Sequence, residues 1–154
     1  MRVAIGADHR GFKTKLLIAG YLRKQGHEVF DYGTDSEGPV DYPDVAWQVG
    51  EAVAKKKIGY GILLCYSGQG MVMAANKVMG VRAALCAEKV CARFARAHNN
   101  ANVLVMPAGF IPYGKRMREI ITTFLSTRFE GGRHRRRINK IANYEKNHPF
   151  TAGS

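Results

Sequence analysis

Long apolar runs are missing from this chain. None reaches the ~18 residues that a membrane-spanning helix requires. The opening Met1-Arg-Val-Ala-Ile-Gly-Ala-Asp8 meets a charge before a signal-peptide core could form. A cytoplasmic protein with no membrane partner is therefore expected. Cysteine is scarce as well. Cys65, Cys86 and Cys91 are odd in number and include no CxxC pair, which speaks against a disulfide framework and against a zinc site. Acidic residues are few: 12 Asp and Glu stand against 24 Lys and Arg, a net charge of +12. That balance points to an anionic partner, either nucleic acid or a phosphorylated small molecule. No nucleic-acid motif accompanies the basic run Arg133-His-Arg-Arg-Arg137, and aromatics are not interleaved with it. A solvated basic helix face is the competing reading for most of these charges.

Linkers, internal repeats and low-complexity segments are also lacking. What is present is a chain of 154 residues, 46% hydrophobic and 23% charged, the make-up of one folded domain with a real core. Short apolar runs alternate with helical patterns. Arg2–Ala7, Glu28–Tyr32, Tyr60–Cys65, Val81–Leu85 and Val103–Met106 read as strands, mostly apolar without alternation, as strands buried on both faces are. Helices are expected over Phe12–Gln25, with Phe12, Leu16, Ala19 and Leu22 on its buried face, and around Val45–Val53. Further helices are expected over Gly70–Val78, Glu88–His98, Tyr113–Ser126 and about Arg133–Glu145, followed by a frayed tail over 146–154. Such alternation implies a parallel sheet between helix layers. Ligands of open α/β sheets bind beyond the carboxyl ends of the strands. Attention therefore falls on Asp8–Gly11, the Tyr32–Tyr42 loop, Cys65–Met71, Cys86–Glu88 and Pro107–Tyr113.

Two nucleotide motifs nearly appear and fail. Gly68-Gln-Gly70 follows a strand, but the third glycine of a dinucleotide loop would fall at Met73. Gly109–Lys115 matches GxxxxGK, but Arg116 stands where a magnesium-binding hydroxyl belongs, and Pro112 removes a cradling N–H. Other groups carry more. Asp8 and His9 directly follow the first strand, either as an acid–base and anion-binding pair or with Asp8 merely capping the next helix. Cys65 ends the third strand, and Ser67-Gly-Gln-Gly70 opens a helix after it. Helix N-termini lower thiol pKa values and steady anions, and neighbouring N–H groups can hold an oxyanion. Cys86 and Cys91 lack such surroundings and read as structural. His98-Asn-Asn100 closes the fourth helix, either as a plain helix end or as a histidine reaching a cleft, its own or a neighbour's. Arg133 and Arg137 share one helix face, a fork suited to a phosphate dianion.

Taken together these residues resemble the type B ribose-5-phosphate isomerase family, which also contains the galactose-6-phosphate isomerase subunits. The landmarks are Ile5-Gly-Ala-Asp8-His9, Val40-Asp-Tyr-Pro-Asp44, Gly61-Ile-Leu-Leu-Cys65 with Gly68 and Gly70, and Ala74-Ala-Asn-Lys77. Val81–Cys86, His98–Val103 and Phe129–His134 follow in family order, so the match covers residues 1 to about 145 as one isomerase domain. The resemblance implies a three-layer α/β/α sandwich, Rossmann-like, with a five-stranded parallel sheet of order 2-1-3-5-4. It implies aldose–ketose isomerisation of a phosphorylated sugar through a cis-enediolate, with no metal and no cofactor. By that resemblance Cys65 moves the proton, and Ser67 with loop N–H groups steadies the enediolate oxygen. His98 helps open the furanose ring with Asp8 nearby, and His9, Arg133 and Arg137 hold phosphate. Tyr42, Gly68, Gly70, Met71 and Asn99 complete the substrate-binding set. A homodimer, or a tetramer built from it, with sites shared between subunits is implied as well, so His98 could serve its partner.

Three positions depart from the family pattern. Tyr66 replaces a glycine beside the thiol, Arg10 replaces a small residue after Asp8-His9, and Phe110 stands where an arginine for phosphate is usual. They suggest an altered sugar preference with unchanged proton-transfer chemistry. A sugar-phosphate-binding protein of the same fold without turnover is the alternative, against which Cys65, Ser67 and His98 all stand. A nucleic-acid binder using Arg133–Arg137 is a third reading, one whose affinity would fall steeply with salt.

Overall fold

The computed structural model describes residues 1–148. Strands β1 (Arg2–Ala7), β2 (Glu28–Asp31), β3 (Tyr60–Cys65), β4 (Ala83–Leu85) and β5 (Val103–Pro107) form one parallel sheet, ordered β2-β1-β3-β5-β4. The expected topology is the observed one. Helices α1 (Phe12–Lys24), α4 (Lys89–Ala97) and α5 (Lys115–Ser126) pack on one face of the sheet. Helices α2 (Tyr42–Ala54) and α3 (Gln69–Ala75) cover the other. Helix α6 (Gly132–Asn147) follows, with His134 and Ile138 buried.

Both faces of the sheet are dry because successive side chains point to opposite sides. Ile62 and Leu64 join the core under α1 and α5, whereas Leu63 and Cys65 join the core under α2 and α3. This alternation aims the Cys65 side chain at the α2–α3 layer.

Several boundaries differ from the expectations. α2 begins at Tyr42, with a proline in its first turn, because proline's fixed φ suits the first helical position. The span assigned to a loop up to Tyr42 therefore ends one residue earlier. β4 is only Ala83–Leu85, since the N–H of Arg82 donates to the Asn102 side chain (2.7 Å) rather than to a strand. α6 runs to Asn147, so the first residues of the presumed tail are helical; residues 149–154 of that tail lie outside the described residues. On α1, Leu16 is 51% exposed, and Lys15 takes the buried place at 1%. The Lys15 ammonium is satisfied by both Asp31 carboxylate oxygens (2.6 Å each) and by the Thr34 carbonyl (2.8 Å). No helix among the described residues is long and apolar enough to cross a membrane.

Candidate active site

The carboxyl ends of β1 and β3 lie side by side, with Ala7 paired to Leu64. The residues that follow each strand form the first group of candidate residues. At the end of β3 the chain turns through Gly68, whose φ of +81° opens α3. A methyl group there would lie 2.3 Å from Leu85 Cδ1, so conformation and space both demand glycine. The turn folds back on the thiol: the Gly68 N–H donates to Cys65 Sγ at 3.0 Å. The Ser67 hydroxyl is half-buried at the same bend and accepts from the Gln69 N–H at 3.4 Å. Gly70 lets the Tyr42 ring close over the loop, since a methyl at Gly70 would meet that ring at 2.5 Å. Tyr42 is thus brought to the thiol loop from the head of α2. Met71 is completely buried. Its side chain is core, and only its backbone N–H is turned toward Cys65, where it favours the thiolate.

Asp8 is 8% exposed. Its Oδ1 accepts the N–H groups of Arg10 (2.9 Å) and Gly11 (3.1 Å), so it shapes the entry to α1. Its charge also reaches Cys65. The thiol is expected from sequence to be pulled toward neutrality, and the structure overturns this. Burial pushes the Cys65 thiol above its ordinary value, and Asp8 adds to the rise; the N–H groups of Gly68, Met71 and Ser67 pull the other way without prevailing. α3 has seven residues, too short a helix for its dipole to outweigh desolvation. Next to Asp8, the His9 Nδ1 is buried and meets no hydrogen-bond partner among the described residues.

The three departing residues converge. The Arg10 guanidinium sits 5.6 Å over the Tyr66 ring, and Tyr66 meets Phe110 edge-on at 5.3 Å. A methyl at Gly109 would touch the Tyr66 ring at 2.3 Å. Tyr66 therefore turns toward the α1–α5 side, away from the face that Cys65 occupies, instead of adding bulk beside the thiol. The GxxxxGK stretch is a plain turn: Arg116 is engaged by Glu88 and by the Ala87 carbonyl (3.1 Å).

The remaining candidate residues lie elsewhere on the chain. His98 ends α4, Asn99 beside it is exposed, and Asn100 turns at φ +46°. Buried Arg96 holds this turn, donating to Asn100 Oδ1 (2.9 Å), the Ala101 carbonyl (2.6 Å) and the Tyr60 hydroxyl (3.0 Å). The His98 and His134 rings stack at 4.2 Å, and each Nε2 lies 3.6 Å from the same Glu130 oxygen. Arg133 and Arg137 are exposed on α6 beside them. Burial lowers the pKa of His134, helped by His98, Arg133 and Arg137 and opposed by Glu130. Sequence reasoning missed Glu130 and His134 as partners of His98, because they come from the segment that leads into α6, and it missed Arg96 on α4 as the residue that holds the turn after His98.

His98, Glu130 and His134 could be taken for a cation site, since their ligand atoms lie within 4.8 Å of one another. Imidazole lone pairs lie in the ring planes, and these planes are only 9° from parallel. One ion cannot sit in both planes, so a ring would have to turn before both nitrogens could bind it.

The strand register separates the two groups. Asn102, four residues after His98, bonds to Gly61 at the amino end of β3, whereas Cys65 pairs with Pro107 at the other end. At ~3.3 Å per residue the ends of such a strand stand roughly 13 Å apart. One chain therefore carries the thiol loop at one edge of its sheet and the imidazole–guanidinium group at the other.

An open α/β sheet with a cradled thiol at a strand end, a facing carboxylate and a separate cationic fork defines a class of acid–base catalyst for small anionic substrates. The chain belongs to the ribose/galactose isomerase family, whose model matches residues 3–141. It is 39% identical to the Escherichia coli ribose-5-phosphate isomerase B over 145 residues, 94% of this chain and 97% of that protein. The ribose-5-phosphate isomerase B of Clostridium thermocellum superposes with a TM-score of 0.93 at 42% identity, covering 96% of this chain and 99% of that one. The Mycoplasma genitalium enzyme, solved with bound ribulose 5-phosphate, gives a TM-score of 0.89 at 42% identity, covering 94% and 95%.

Proposed function

We propose that this chain interconverts ribose 5-phosphate and ribulose 5-phosphate, or a closely related sugar phosphate pair, as a homodimer in the cytoplasm. The observation that carries the reading is the Cys65 thiol, held 3.0 Å under the Gly68 N–H at the end of a buried strand. Cys65 takes the proton from C2 of the open-chain aldose as the thiolate and returns it to C1. Electrons move from the C2–H bond into the C1=C2 bond of the enediolate, the O2 proton passes to O1, and the C1=C2 pair then forms the new C1–H bond as C2=O forms. The Ser67 hydroxyl and the loop N–H groups face the developing enediolate oxygen, where one such donor is worth about 3 kcal/mol in the transition state. His98, with Asp8 nearby, opens the furanose ring, and His9, Arg133 and Arg137 hold the phosphate. Tyr42, Gly68, Gly70 and Asn99 border the sugar, and Met71 contributes its N–H. Neither a metal nor a cofactor enters the scheme.

The separation of Cys65 from His98 along β3 supports a site completed by a second copy of the chain. The joined cluster of Arg10, Tyr66 and Phe110 supports a sugar preference that differs from the relatives. Purified protein mixed with ribose 5-phosphate should yield ribulose 5-phosphate. Absence of conversion with this and with every phosphorylated or free sugar of four to six carbons would remove the enzyme reading and favour the binding-protein one. Strong, salt-sensitive retention on nucleic acid would instead favour the basic run as the working surface.

A further inference from the structure

His98 does not stand alone at the end of α4. Its ring lies between Phe94, 4.8 Å away on its own helix, and His134, stacked at 4.2 Å. Glu130 Oε2 is equidistant from both imidazoles at 3.6 Å. The Glu130 N–H donates to the carbonyl of Ala97 (3.0 Å), the residue before His98, and the His134 N–H donates to the Gly131 carbonyl (3.0 Å). Backbone thus fastens the start of α6 to the end of α4 and brings the carboxylate to the imidazole. The charged and titratable groups around the pair are Glu130, His134, Arg133 and Arg137; from α4 the facing group is the uncharged Phe94 ring, with Arg93 over it at 4.3 Å.

We propose that Glu130 and His134 are positioning residues for His98: the carboxylate fixes which ring nitrogen of His98 carries its proton, and the stacked ring fixes the plane. This rests on the reading of His98 as the ring-opening group. A carboxylate facing Nε2 holds the proton on that nitrogen and leaves Nδ1 as the acceptor. At 3.6 Å the contact is an ion-pair distance, longer than a hydrogen bond. In the step itself Nδ1 takes the proton of the C1 hydroxyl, C1=O forms and the C1–O4 bond breaks. The same proton then passes to O4. The transient imidazolium is matched by the Glu130 charge. Burial lowers the pKa of His134, and His98 and the two arginines add to the fall, which disfavours a second cation stacked against the imidazolium.

Ribulose 5-phosphate offers a control, because its only hydroxyl able to close a five-membered ring onto C2 carries the phosphate. Exchange of its C1 hydrogen with deuterium oxide needs enolisation but no ring opening. Glu130→Gln should slow isomerisation of ribose 5-phosphate by about 10–100-fold, the usual loss for a supporting partner. Exchange at C1 of ribulose 5-phosphate should remain within a few fold. Glu130→Asp should recover part of the rate. His134→Gln should show the same asymmetry between the two reactions. Equal loss of both reactions, or no loss of either, overturns the proposal. His98→Asn separates it from the reading beneath it. Full ribose 5-phosphate activity in that variant removes the ring-opening role itself. Loss in His98→Asn with none in Glu130→Gln removes only the positioning role.

Discussion

At the scale of single residues, the proposed mechanism makes Cys65 the group that sets the pH behaviour. Burial raises its thiol and Asp8 adds to the rise, so on that mechanism the base is the minor thiolate form. The thiolate fraction grows as pH rises, and kcat/KM for ribose 5-phosphate should climb from neutral pH into the alkaline range. A profile already flat at pH ~6 would mean a thiol of the depressed kind. Cys65→Ala should abolish proton exchange, while full activity would remove Cys65 as the base. The three free thiols should also label in order. Cys91 is exposed and should react first with iodoacetamide. Cys65 should react slowly and be shielded by substrate. Cys86, buried with its pKa pushed up to about 12, should react only after unfolding; mass spectrometry of timed samples checks the order. The motif Cys-Tyr-Ser-Gly-Gln-Gly announced this loop in the sequence, since only glycine accepts the left-handed turn at 68. The sign of the thiol's shift was not legible. It depends on how deeply β3 carries Cys65 into the sheet, which is a tertiary quantity.

At the scale of elements, legibility followed burial. β1 and β3 were bounded correctly from their apolar runs because both of their faces are covered. α1 was found and Ala19 and Leu22 are buried as expected, but Leu16 is exposed and Lys15 takes the buried place. The structure buries Lys15 because the Asp31 carboxylate and the Thr34 carbonyl wait for it at the end of β2. That pairing joins residues far apart in sequence and leaves no periodic trace. Lys15→Ala would strand Asp31 and empty a buried position. It should cost about 3 kcal/mol, the lower end for breaking a buried ion pair because Asp31 is partly exposed. Leu16→Gln, one residue on and half in solvent, should shift stability by less than about 0.5 kcal/mol. Urea unfolding of both variants checks the contrast, and equal losses would restore the face read from periodicity. The Arg10, Tyr66 and Phe110 cluster belongs to this scale too. It links the loops after β1, β3 and β5, so three separate departures in sequence become one. Reverting Phe110→Arg together with Tyr66→Gly should change the ratio of kcat/KM between five- and six-carbon sugar phosphates by at least several fold. An unchanged ratio would make the cluster packing alone.

At the scale of the whole molecule, the chain holds the two candidate groups at opposite ends of its sheet strands. The thiol loop follows the carboxyl end of β3, and the His98, Arg133 and Arg137 group lies by its amino end. Sequence order hides this, because Cys65 and His98 both read simply as residues that follow secondary elements. Only the antiparallel return of α4 carries His98 back to the other edge. A two-fold pair of subunits would set the thiol loop of one against the fork of the other, in two equivalent sites. Complementation tests this directly. Cys65→Ala and His98→Asn should each be inactive on ribose 5-phosphate as pure proteins. Unfolded together in equal amounts and refolded, half of the pairs should be mixed. Each mixed pair carries one site with both changes and one with neither, so about a quarter of native activity should return. Were both groups supplied by one chain, every site would carry one lesion, and the mixture would stay as inactive as its parts.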